Sequence, residues 1–290
     1  MAARSSDGFP TSGLLLIGMG PGRLGAMTVE ARNAAKAADF RRYEAYTALW
    51  PENELKSLEN DIGTIEKVMR PEVEAPAELL NLAKENLVAL LIVGDPLQAT
   101  THVDLQLQAI EAGVECTVFH GISITTLVTG SVGLSNYRFG RQTTITYPYG
   151  GWVATSPLEV IAANIYQNQH TLALLDLDPT GAGTGQQVPM QPKDAVKSLE
   201  LMYDKLKSTY ESIEVESALD SMKFEAYSLF LDKNLAEIGV VLCADMGTDD
   251  ENVTYTTIGE LSDVDGGRLN CLIFPANTSE VEEKALLRWK

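Results

Sequence analysis

The sequence predicts an α/β fold of two α/β domains with mainly parallel sheets, on three observations. Short apolar runs alternate with amphipathic stretches of helical length. Several of those runs close on glycine, as strands entering a loop do. The alternation breaks once, near residue 120, and then resumes. A chain of 290 residues with 45% hydrophobic and 21% charged residues has room for one large domain or two ordinary ones.

LLLIG (14–18) is a buried strand ending on glycine. Thr28 is placed to cap a helix over 28–38, with Glu30 in its first turn. FRRYEAY (40–46) follows, then a helix over Ala77–Glu85 and the strand VALLIVG (88–94). A helix over 102–112 ends near Gly113, and VECTVF (114–119) is the next strand. Residues 120–151 are rich in Gly, Ser and Thr and poor in charge. The second round holds a helix over 156–167, the strand TLALLDL (171–177), a Gly/Pro/Gln-rich loop at 178–192 expected to be mobile, and a long helix from about Asp194 to Leu206. Strands GVVLCA (239–244) and LNCLIF (269–274) close it. The expected division is a disordered polar tail at 1–13, an N-terminal α/β domain at 14–122 and a C-terminal α/β domain at 123–290.

The formal net charge of −18 argues against nucleic-acid binding through a basic surface. It is spread along the body: +2 over residues 1–50, −10 over 51–190 and −10 over 191–290. A solvated acidic surface and an anionic face for a basic protein partner both accommodate it. Cys116, Cys243 and Cys271 are scattered and odd in number, which fits a reduced, cytoplasmic chain. No apolar run approaches the roughly 18–20 residues that span a bilayer, and the first 13 residues lack a signal-peptide core, so no membrane association is expected. His102, His120 and His170 stand far apart, with no HExxH or CxxC spacing, so no metal site is expected. The GxSxG elbow and the GxxxxGK[ST] phosphate loop are both missing, which disfavours hydrolase and kinase chemistry.

Four segments carry chemistry. GMGPGRLG (18–25) joins a strand to a helix, and Gly20–Gly25 satisfies GxGxxG with Glu44 about 20 residues on; a tight βα turn accounts for it equally well. Gly94-Asp95-Pro96 ends a strand, where ligands of open α/β sheets bind; Asp95 is placed to hold a ribose hydroxyl or amino group, or to cap the next helix. HGISI (120–124) follows another strand, with Ser123 a further cap candidate. YRFGR (137–141) and YPYGGW (147–152) gather aromatic rings and arginines suited to plugging a domain seam or caging a cation.

LIGMGPG with MTVEARNAAKAADF resembles the opening of the tetrapyrrole methylase superfamily. VGDPLQATTHVDL, HGISI, GLSNYRFGR, YPYGGW and HTLALLDLD are similar, in order over about residues 14–276, to its diphthine synthase family. That resemblance implies a cleft between two α/β domains holding S-adenosylmethionine, with S-adenosylhomocysteine as product and no metal. It implies methyl transfer to the amino group of a 3-amino-3-carboxypropyl histidine on translation elongation factor 2, a step of diphthamide biosynthesis, by a homodimer. It places Pro21, Asp95, Gln98, Ser123, Ile124, Leu175, Met246 and Asn270 at the cofactor. Pro21, Gln98, Met246 and Asn270 depart from the family's usual residues, and no catalytic base is assigned. Tyr137, Arg138 and Arg141 are candidates for the acceptor side, because a quaternary amine suits aromatic faces and a carboxylate suits arginine. The alternatives are a tetrapyrrole C-methyltransferase, suggested by GMGPG, an NAD-dependent oxidoreductase, suggested by GPGRLG and Glu44, and a non-enzymatic acidic binding module.

Overall fold

The computed structural model describes residues 8–180 and 187–290, which form two compact units. The first comprises 8–127 and 247–249; the second comprises 128–180, 187–246 and 250–290.

The first unit runs β1 (Gly13–Gly18), α1 (Val29–Ala37), β2 (Phe40–Glu44), α2 (Glu52–Ile62), β3 (Glu66–Val68), α3 (Arg70–Glu74), α4 (Ala77–Ala83), β4 (Leu87–Ile92), α5 (His102–Glu111) and β5 (Cys116–Phe119). Its sheet has the order β3-β2-β4-β1-β5, and every pairing is parallel. Central parallel strands are covered on both faces, so they read as unbroken apolar runs. GLLLIG and LVALLI are buried at all six positions each. Successive side chains then serve opposite cores: Leu15 and Ile17 pack with α1 and α2, whereas Leu14 and Leu16 pack with Leu80, Ala83, Leu105 and Ala109. Helix α1 buries only alanines (Ala31, Ala34, Ala35). Thr28 caps it, its hydroxyl accepting from the Ala31 amide at 3.1 Å. Thr28→Ala is expected to cost about 1 kcal/mol of stability in urea unfolding, against no change for Thr28→Ser.

Helix α6 (Ile124–Ser131) leads from the first unit into the second, which continues β6 (Thr143–Ile145), α7 (Ser156–Tyr166), β7 (Thr171–Leu175), α8 (Pro192–Thr209), α9 (Ala218–Leu231), β8 (Gly239–Ala244), β9 (Asn252–Thr257), α10 (Ile258–Leu261), β10 (Asn270–Phe274) and α11 (Glu280–Leu287). Its sheet has the order β6-β7-β10-β8-β9. Here only β6 and β7 run parallel; β7–β10, β10–β8 and β8–β9 are antiparallel. For β8–β9 the reason is connection length: residues 245–251 are too few for the dozen or more that a parallel crossover needs. Over both sheets parallel pairing still prevails. Leu158, Ile161, Leu199, Met202 and Phe230, from α7, α8 and α9, bury the sheet residues Ala173, Leu242 and Leu272.

Of the tail expected at 1–13, residues 1–7 lie outside the described residues; Phe9 packs its ring 6.0 Å from that of Phe119, and Gly13 already belongs to β1. Of the loop expected at 178–192, residues 181–186 lie outside them; Val188 and Met190 donate to the Leu177 and Asp176 carbonyls at 2.9 Å each. No helix among the described residues is long and apolar enough to cross a membrane.

Candidate functional site

Three loops meet at the carboxyl ends of β1, β4 and β5, because the order β4-β1-β5 sets those strand ends side by side. Glycine makes their contact possible. Gly20 and Gly94 exchange backbone hydrogen bonds, Gly20 N to Gly94 O at 3.1 Å and Gly94 N to Gly20 O at 2.9 Å. A Cβ on Gly18 would stand 2.5 Å from the Gly121 nitrogen and 2.8 Å from the Gly94 oxygen. Gly20 and Gly94 also hold φ of +75° and +77°, conformations that L side chains rarely adopt. Trp50 and Glu54 buttress the first loop, Trp50 Nε1 donating to the Gly20 carbonyl at 3.3 Å and Glu54 accepting from the Leu24 amide at 2.6 Å.

Asp95 is 4% exposed and caps no helix. Its Oδ1 accepts from the Leu97 amide at 2.9 Å; its Oδ2 faces His120 Nδ1 at 2.8 Å and the Gly121 amide at 3.3 Å. The carboxylate thus ties the second loop to the third. Gln98 is exposed, and its Oε1 accepts from the Thr125 hydroxyl at 2.7 Å. Ser123 is a cap, its hydroxyl accepting from the Thr125 amide at 3.2 Å. Pro21 is buried and Ile124 half-buried. Residues 247–249 lie on the first loop: Thr248 would obstruct a Cβ at Gly22 at 2.6 Å, and Asp249 accepts from Arg23 at 3.2 Å.

In the second unit the register gathers Leu175, Met246 and Asn270. Asn270 stands opposite Ala244, and Cys271 opposite Leu174, so the three residues lie at one end of the sheet. The Asn270 amide is engaged locally, donating to the Met190 and Gly267 carbonyls at 3.2 and 3.1 Å and accepting from the Gly267 amide at 2.8 Å. Tyr147 and Tyr149 belong to the same end, because β6 leaves Ile145 opposite Leu175. The Tyr149 hydroxyl donates to Asp176 at 2.6 Å and the Tyr147 amide donates to it at 3.2 Å.

Tyr137, Arg138 and Arg141 are not brought to that end. They precede β6, and Phe139 bridges His170 just before β7 begins, so they stand at the opposite end of the sheet. Tyr137 is 94% exposed. Arg138 is held by Glu282 at 2.6 Å and donates to the Asn277 carbonyl and Asn168 Oδ1 at 2.5 and 2.9 Å. Glu282 also accepts from the Ser135 and Ser279 amides and from His170 Nε2 at 3.0, 2.8 and 3.2 Å. The Ala276 amide donates to His170 Nδ1 at 3.0 Å, so the hydrogen of this buried imidazole sits on Nε2. Residues 279–282 spell the Ser-x-x-Glu capping box, a signal present in the sequence that marks both α11 and the importance of Glu282.

Glu44 corrects the dinucleotide expectation. It is 1% exposed, accepts from the Thr47 hydroxyl and stands 2.9 Å from His102 Nε2, without the alignment of a hydrogen bond. It is closed off from a ribose. A short 3₁₀ turn at Leu24–Ala26 also separates the glycine loop from α1, and a Cβ added at Gly25 would meet nothing within 4 Å. Loops 94–98 and 120–124 carry no lysine or arginine, and Arg23 of loop 18–25 is paired with Asp249 at 3.2 Å. Among the described residues no three His, Cys, Asp or Glu cluster as metal ligands.

The family model of the tetrapyrrole (corrin/porphyrin) methylases matches residues 13–262. A diphthine synthase of Methanospirillum hungatei is 30% identical over 276 residues, 94% of this chain and 96% of that protein. One of Methanocorpusculum labreanum is 39% identical over 166 residues, which span 57% of this chain and 66% of that protein. Among solved structures, a putative diphthine synthase from Entamoeba histolytica superposes with a TM-score of 0.76 at 26% identity, over 96% of this chain and 98% of that one.

Proposed function

We infer the activity of a chain that belongs to the tetrapyrrole methylase family and, within it, to the diphthine synthases: it is an S-adenosylmethionine-dependent methyltransferase of diphthamide biosynthesis. The acceptor in this reading is the amino group of the 3-amino-3-carboxypropyl histidine of elongation factor 2. One observation favours this cofactor over a dinucleotide: Glu44, the carboxylate a ribose would need, is 1% exposed and turned to Thr47 and His102.

S-adenosylmethionine supplies a methyl group already activated on a sulfonium. The chain's own work is therefore placement and proton handling. Loops 18–22, 94–98 and 120–124 present backbone groups and the exposed Gln98 and Ile122, with Pro21, Asp95, Ser123 and Ile124 fixing the loops' shape. The family resemblance also proposes Leu175, Met246 and Asn270 for the cofactor; within the second unit they lie at one end of its sheet. The aromatic residues at 147–152 share their sheet end and are better placed for the acceptor than Tyr137, Arg138 or Arg141. A homodimer and a cytoplasmic location complete the reading on family resemblance.

Isothermal calorimetry tests the cofactor assignment. S-adenosylmethionine and S-adenosylhomocysteine are expected to bind, and NAD to give no heat. Binding of NAD alone would overturn the reading in favour of an oxidoreductase.

A further inference from the structure

We propose that His120 accepts the proton of the attacking amine, with Asp95 holding its ring; this rests on the methyltransferase reading above. Neutral amines attack and ammonium ions do not, so each transfer requires a proton to leave the nitrogen. The first unit contains a pair built for that task. Asp95 is 4% exposed, and its Oδ2 lies 2.8 Å from Nδ1 of a His120 side chain that is 70% exposed. A carboxylate accepting at Nδ1 fixes the ring hydrogen there and leaves the lone pair on Nε2, turned away from Asp95.

The orienting carboxylate itself accepts from the Leu97 and Gly121 amides at 2.9 and 3.3 Å. The contacts at Gly18, Gly94 and Gly121 fix His120 at the carboxyl end of β5, beside the other two loops. Of the loops packed together there, 18–25 has Arg23, paired with Asp249 at 3.2 Å, 94–98 has Asp95, and 120–124 has His120 itself. Asp95 is thus the charged group these loops turn toward the ring. In the step, the N–H bond of the ammonium breaks, its electron pair stays on nitrogen as the attacking lone pair, and the proton joins Nε2. The exposed imidazolium then passes it to water.

His120→Asn separates this role from loop pinning, because the asparagine amide can still donate to Asp95 from the position of Nδ1 but offers nothing at Nε2. The variant is expected to bind S-adenosylmethionine as the parent does, by calorimetry. Its kcat on elongation factor 2 carrying the 3-amino-3-carboxypropyl histidine should fall about 100-fold at neutral pH, with KM for the methyl donor unchanged and the deficit shrinking as pH rises. A second readout needs no turnover: long-range proton–nitrogen NMR should show the His120 hydrogen on Nδ1 in the parent and a shift toward Nε2 in Asp95→Asn. An undiminished kcat, weakened cofactor binding in His120→Asn, or a parent hydrogen on Nε2 would each overturn the proposal. A parent protein that binds no S-adenosylmethionine would overturn the methyltransferase reading first, and this proposal with it.

Discussion

Gly121→Ala is expected to destabilise the first unit by about 3 kcal/mol, at the upper end of overpacking effects, and to abolish S-adenosylmethionine binding. The added carbon would stand 2.9 Å from the Gly18 carbonyl carbon and closer still to the Gly94 carbonyl oxygen. Both obstacles are backbone of central strands' ends, so neither can swing aside as a side chain would. Relief requires the third loop to lift from the other two, which also pulls Gly121 and His120 from Asp95. Gly25→Ala is the control, since nothing lies within 4 Å of its added carbon; that variant should melt and bind as the parent does. Urea unfolding with calorimetry checks both. Full binding by Gly121→Ala would show that the close packing of the loops is incidental to the site.

The second large effect belongs to Glu282, 4% exposed in the second unit. Glu282→Ala is expected to cost about 3 kcal/mol, the lower end of the range for breaking a buried ion pair from one side, because it removes the partner of the buried His170 Nε2 and of the Ser135 and Ser279 amides, while Arg138 keeps its bonds to Asn277 and Asn168. Burial pushes the Glu282 carboxyl up, but the Ser279 and Ser135 amides, His170 and the Ser279 hydroxyl together bring it down from 4.5 to about 2. The stabilisation this confers is complete above 4.5 and is lost as pH falls toward 2. His170 acts in the same direction. Burial lowers its imidazole below 6.5, outweighing the raising effect of Glu282, and Arg138 lowers it further. The folded imidazole refuses a proton that the unfolded chain accepts, so stability falls as pH drops through 6.5. Protonation would also break the hydrogen bond that Nδ1 accepts from Ala276. Unfolding measured against pH should therefore decline on acidification, with the decline between 4.5 and 2 flattened in Glu282→Ala. An unchanged slope in that variant would remove Glu282 as its source.

Where burial is two-sided, the sequence was readable. GLLLIG, LVALLI and GVVLCA are unbroken apolar runs because helices or neighbouring strands cover them completely, and the structure places strands there. Thr28 reads as a cap and is one. Shorter or one-sided elements leave too little pattern. Glu66–Val68 and Thr143–Ile145 have three residues each, and the strand Asn252–Thr257, nowhere fully buried, lacks an apolar run. Helix α2 has only Leu58 and Ile62 on its buried face, at helical spacing but too few to stand out among its charged residues.

The three strand-end loops were legible as motifs because glycine and Asp-Pro are local signals. Their partners were not. Asp95 and His120 are 25 residues apart, and Arg138 and Glu282 are 144 apart; only the sheet order and the placement of α11 bring each pair together. The same limit explains Tyr137, Arg138 and Arg141. Their chemistry suits the acceptor, but which end of β6 they occupy is a property of pairing register, invisible in the residues themselves.

The most direct test of the account is transfer of a labelled methyl group. The purified chain would be incubated with labelled S-adenosylmethionine and either unmodified elongation factor 2 or the factor carrying the 3-amino-3-carboxypropyl histidine. Mass spectrometry would then locate the label. Label on the amino group of the modified histidine, with none on the unmodified factor, is the expected result. Label on a tetrapyrrole added in competition, with the modified factor left untouched, would contradict the account.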